Sequence, residues 1–122
     1  MRPPVWSKSL GTRIVKARAN DRCELCRATP VDMAHRVDAS DGGPWAPANL
    51  IALCRRCHDW CHHWPLMAGD AGWRLKSTAD YLAEPVFLMT EIGFRWVRLN
   101  DEGEYLNHDI VPVLPPWVPY AQ

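Results

Sequence analysis

No stretch of this 122-residue sequence approaches the run of ~18 apolar residues that spans a bilayer, which argues against a membrane protein. The opening Met1-Arg2-Pro3-Pro4-Val5-Trp6 lacks the apolar block of a secretory signal, so the expectation is a soluble, cytoplasmic chain. There is no internal repeat and no low-complexity tract. Net charge is also missing: 14 basic residues balance 14 acidic ones. The balance is uneven along the chain. Residues 1–63 hold ten Lys or Arg against six acids, and residues 64–122 hold four against eight. The first half would therefore attract a polyanion, although +4 is modest and, on charge alone, ordinary solvated surface charge is the favoured reading.

What the chain does have is five cysteines, seven tryptophans and eleven prolines. Five cysteines in a cytosolic chain argue against a disulfide framework. Four of them form two pairs, Cys23-x-x-Cys26 and Cys54-x-x-Cys57. Each pair can wrap one ion in a single turn, and four thiolates close the tetrahedral shell of a structural Zn²⁺. The 27 intervening residues exceed the usual ribbon spacing, which suits an inserted hairpin. A redox Cys-x-x-Cys and four inert core cysteines are the rival readings. Cys61, four residues after Cys57, reads as an apolar neighbour of the staple rather than a ligand.

The pattern predicts a helix over 12–20 with Thr12 as its cap, Ile14 and Val15 inward and Arg18 outward. A strand follows over 31–37, then a long hairpin loop over 39–47 dense in turn residues. Leu50-Ile-Ala-Leu53 reads as a strand and Arg55–His63 as a helix, with Pro65 marking its end. Trp73-Arg-Leu, Val86–Met89 and Phe94–Leu99 read as strands, with a turn at 100–103 returning through Glu104-Tyr-Leu. The proline-rich end reads as extended. The fold class expected is α+β: residues 1–65 form a zinc-stapled core with a short N-terminal helix, and 66–122 a β-rich extension packed on or following it.

On the 55–63 helix, His58 and His62 stand four residues apart and share a face beside the cysteine face. Alone this is weak, since surface histidines pair in this way by chance. His63 and His108 stay unassigned. The signal strengthens with His35 on the upstream strand and Asn49 just before Leu50. Asp32-Met-Ala-His-Arg36, Gly42-Gly43, Pro47-Ala-Asn49-Leu and Leu53-Cys-Arg-Arg-Cys-His58 together resemble the HNH endonuclease pattern in its four-cysteine form. The match runs from about Arg22 to Pro65, and it is similar to small stand-alone versions carried by phages and bacteria.

The resemblance implies a ββα-metal, treble-clef-like core and a metal-dependent DNA endonuclease that hydrolyses phosphodiesters by nicking or double-strand cutting. It implies His35 as general base, Asn49 as a brace of the hairpin loop, and His58 with His62 as ligands of a catalytic Mg²⁺, Mn²⁺ or other divalent ion. Cys23, Cys26, Cys54 and Cys57 would hold the structural Zn²⁺. DNA is the expected partner, with a phage or host protein as another. Arg36, Arg55 and Arg56 are the expected phosphate contacts. Arg13, Lys16, Arg18, Arg22 and Arg27 are candidates to extend the track, with plain solvent exposure an equal reading for each; Trp6 and Trp45 are candidates to stack on bases, although core or loop packing is the favoured reading for both. One position departs from the pattern. Where the family places an acidic or histidine ligand before the base, this chain has Ala34. Asp32, Asp38 or Asp59 is the nearest substitute. A catalytically weak or inactive nucleic-acid-binding module is the alternative that Ala34 favours, and a zinc-bearing protein-interaction domain is a third reading.

Overall fold

A computed structural model describes residues 5–107. The proline-rich end and His108 lie outside the described residues.

Helix α1 spans Lys8–Ala19. It begins four residues before the expected start, because Ser7 and not Thr12 is the cap: the Ser7 hydroxyl accepts from the Leu10 N–H at 3.1 Å. Such a cap is worth ~1 kcal/mol. Gly11 lies inside the helix, at a point where a side chain would run into the Trp45 carbonyl. Gly11, Val15 and Ala19 recur every four residues and form the buried stripe. Asn20 ends the helix in the left-handed conformation, and the Asp21 N–H donates back to the Lys16 carbonyl.

Strands β1 (Asp32–His35) and β2 (Leu50–Leu53) pair antiparallel, with Ala34 opposite Ile51 and His35 opposite Leu50. β1 is shorter at both ends than the 31–37 expected, although one further bond, Arg36 N–H to the Asn49 carbonyl, extends the pairing. The alternation gives this hairpin two dry faces. Ala34, Ile51 and Leu53 join the cysteines and helix α2 (Arg55–His63). Leu50 and Ala52 join Val15 and Ala19 of α1, with Met33 and Trp45 alongside.

Pro65 does not only end α2. It opens a second short helix, α3 (Pro65–Asp70), in which the missing N–H costs nothing at the first position. Trp73-Arg-Leu is not a strand; a single parallel bridge joins Leu75 to Val37. Strands β3 (Val86–Thr90), β4 (Gly93–Leu99) and β5 (Tyr105–Asn107) form an antiparallel meander near the expected ranges.

The extension shares the core of the first half. Trp73, Val86, Leu88, Val97 and Leu99 belong to the same buried cluster as Cys23, Ile51 and Cys57. Two buried arginines fasten the halves together, and both are corrections to the sequence reading. Arg18, expected outward, has a side chain only 1% exposed. It pairs with buried Glu24 at 2.7 Å, and the Tyr105 hydroxyl donates to the same carboxylate at 2.6 Å. Arg36, expected to contact DNA, is 1% exposed. Its guanidinium donates to the carbonyls of Gly72, Ala48, Tyr81, Glu84 and Pro85 at 2.9–3.5 Å. Five donors in a rigid fork thus hold an otherwise irregular segment against the hairpin. Burial pulls the Arg36 pKa down to about 9, which leaves it charged at neutral pH.

Candidate functional site

The four paired cysteines converge. The Cys23-x-x-Cys26 knuckle is closed by the Cys23 N–H to the Ala28 carbonyl and by the Arg27 N–H to the Cys23 carbonyl. Cys54 caps α2, and Cys57 sits in its first turn. The four sulfurs lie within 4.8 Å of one another, and none is in a disulfide. A tetrahedron with Zn–S bonds of ~2.3 Å has sulfurs ~3.8 Å apart, so the site is compatible with a structural zinc. The thiol of Cys57 hydrogen-bonded to Cys23, aided by nearby backbone N–H groups, lowers the Cys23 pKa to about 5 against the opposing effect of burial. A thiolate is the ligand form of cysteine. Cys61 is different: burial raises it to about 12, and it packs in the core as a small apolar residue.

Asn49 is wholly buried and braces the hairpin loop. Its Oδ1 accepts from the Val37 N–H at 2.8 Å. Its Nδ2 donates to the carbonyls of Val37 and Pro44 at 3.1 and 3.0 Å. Gly43 is required beside it, because a side chain at 43 would meet the Val37 carbonyl and the Asn49 amide.

His35 ends β1 on the α1 face of the hairpin, its ring edge-on to the Trp45 indole at 4.4 Å. His58 and His62 come from α2, on the other face, with ring centroids 4.9 Å apart. β1 is one edge of the two-stranded sheet. His58 and Trp45 line one solvent-connected hollow of about 370 Å³ together with Lys8, Thr12, Lys16 and Arg55. On the other side, Arg74 donates toward His62 Nδ1 at 3.2 Å and lies 3.7 Å from Asp38, whose charge acts on His35. His35 does not line that hollow itself; it touches Trp45, which does, and the structure does not bring its ring against His58 or His62.

Two ring nitrogens here are buried without a hydrogen-bond partner, His35 Nε2 and His58 Nδ1. Burial lowers the pKa of both rings; Asp38 opposes the shift at His35, while His62 and Arg55 reinforce it at His58. Both imidazoles are therefore neutral at physiological pH. An orphaned ring nitrogen is costly unless something binds it.

Ala34 is buried, and among the described residues no carboxylate stands in for the ligand that the resemblance implies there. Asp32 and Asp59 both pair with Arg55, at 2.8 and 3.4 Å. Among the described residues, the four cysteines alone form a group of three or more possible metal ligands in mutual reach. The histidine pair offers two donors and no third. Arg55 and Arg56 are exposed at the start of α2, beside this edge.

Compared with known protein families, curated proteins and solved structures, this chain matches none of them. What it does chemically therefore has to be argued from its own side chains.

Several of these were not legible beforehand. Glu24 was unremarked because its partners, Arg18, Ala52 and Tyr105, are up to 81 residues away. Lys8 and Thr12 share a face with Lys16 only on a helix that begins at Lys8, and a helix read from residue 12 onward does not show it. Arg74 carried no motif at all.

Proposed function

We propose that this protein is a metal-dependent DNA endonuclease of the HNH type, built on a treble-clef-like ββα-metal core. The observation that carries the reading is the pair of buried, partnerless ring nitrogens of His35 and His58 at the edge of a hairpin that Asn49 braces and the cysteine cluster anchors.

In this reading His35 takes a proton from the attacking water through Nε2. Its depressed pKa keeps that nitrogen unprotonated at neutral pH and so able to accept a proton. Trp45, packed edge-on, fixes the ring plane. Asn49 fixes the loop that follows β1, and with it the position of the His35 backbone. His58 and His62 fit a divalent ion as two of its ligands. Such an ion, when bound, supplies charge neutralisation at the leaving oxygen. Arg55, held by two carboxylates, and Arg74, beside His62, are cations within reach of a bound phosphate. The cysteine cluster has no open position and serves to hold the knuckle against α2.

Ala34 and the missing third ligand favour a second reading, a nucleic-acid-binding module with little or no catalysis. Nicking of supercoiled plasmid across a series of divalent ions separates the two. The nuclease reading expects nicking by the wild type and none by His35→Ala at equal zinc content. If neither protein nicks in any ion, the binding module stands instead.

A further inference from the structure

We infer that the Lys8–Thr12–Lys16 face of α1 is a phosphate-binding wall that holds a DNA strand beside the histidines. This rests on the nuclease reading for its purpose, but it is a claim about binding and can fail or stand separately.

The three residues recur every four positions and so share one helix face, with a rise of ~6 Å between neighbours. All three line the hollow that His58, Arg55 and Trp45 also line. Among the described residues, neither lysine has an ion-pair partner; the Lys8 ammonium lies only over the Trp45 ring, 5.5 Å from its centre. Asp32, the one carboxylate in the lining, is engaged by Arg55. The lining thus holds three cations against one carboxylate, with His58 alongside.

Thr12 lies between the two lysines, but its Oγ1 is buried and shut off from the hollow. A phosphate is the occupant that the charges of Lys8, Lys16 and Arg55 select. The opposite wall is α2, so a strand lying in the hollow passes His58.

The test is equilibrium binding of a fluorescein-labelled, random-sequence DNA duplex to the zinc-loaded full chain carrying His35→Ala. No divalent ion and no chelator is added. In that background Lys8→Ala with Lys16→Ala should weaken binding on the order of tenfold near physiological salt, and flatten the salt dependence of log K by about 1.8. Lys76→Ala, an exposed lysine outside this hollow, should change neither. Wild-type affinity and salt slope in the double lysine variant would overturn the inference, even if plasmid nicking is observed. Conversely, a loss of binding in that variant supports it even if the protein proves unable to nick.

Discussion

Replacing Asn49 by alanine should unfold the hairpin loop at a cost that can be worked from its three hydrogen bonds. The Val37 N–H loses its acceptor while buried, and an orphaned buried donor costs ~1–3 kcal/mol. The Val37 and Pro44 carbonyls each lose one donor, at roughly 0.5–1 kcal/mol apiece because each keeps a second lone pair. The sum is about 3 kcal/mol. Unfolding entropy of ~2.1 cal/mol/K per residue over 122 residues gives about 0.26 kcal/mol/K, so the melting temperature should fall by roughly 12 °C. Calorimetry or circular dichroism on zinc-loaded protein reads this directly. Zinc content should stay at the wild-type value in the folded variant, because Asn49 touches no cysteine. A shift below ~2 °C would show that the loop is held by something else and that the accounting by orphaned groups is wrong. Loss of zinc in a variant that remains folded would instead couple the brace to the staple and contradict their separation.

Three further outcomes follow from the same geometry. Wild-type protein should carry one tightly held zinc, and Cys54→Ser should lower zinc affinity and expose the core to urea; an equally stable, zinc-free Cys54→Ser would remove the staple. Arg36→Met should destabilise by at least ~3 kcal/mol, since five carbonyls lose their donor, and yet leave the salt dependence of DNA binding unchanged in protein kept cold enough to stay folded. A steeply reduced salt slope would return Arg36 to the DNA-contacting class. With His35 as base, kcat/KM should fall as pH drops through a midpoint below the ordinary histidine value of 6.5, because burial favours the neutral ring. Asp38→Asn removes the carboxylate that opposes this shift and should move the midpoint lower still; a move upward would mean the titrating group is not His35.

How far the fold was readable depends on how local its causes are. β2 and α2 were legible to the residue, because Leu50–Leu53 is a short apolar run and Arg55–His63 holds no breaker. The cysteine cluster was legible because the two short spacings carry the geometry by themselves. Asn49 was legible only through the resemblance, and its three bonds fit the role that the resemblance implied. The start of α1 differs from the expected one because Thr12 has the chemistry of a cap in sequence, whereas Ser7 caps the helix and Gly11 continues it against the Trp45 carbonyl, 34 positions later. Pro65 was read as an end when it is equally a beginning. The gravest misreading concerned Arg18 and Arg36. A charged side chain is expected at the surface, and nothing near either residue announces the partners that bury it: Glu24 and Tyr105 for one, carbonyls between 48 and 85 for the other. Those long-range bonds also explain why the extension, which carries no motif, packs into the core rather than trailing from it.

The residue on which the functional account turns is His35, and its role as base is separable from any role in folding. Plasmid-nicking rates should fall by roughly 10²-fold or more in His35→Ala and recover in part when free imidazole is added to the buffer, since a small base can occupy the space left by the side chain. A His35→Ala protein that nicks at the wild-type rate, with or without imidazole, would contradict the account at its centre.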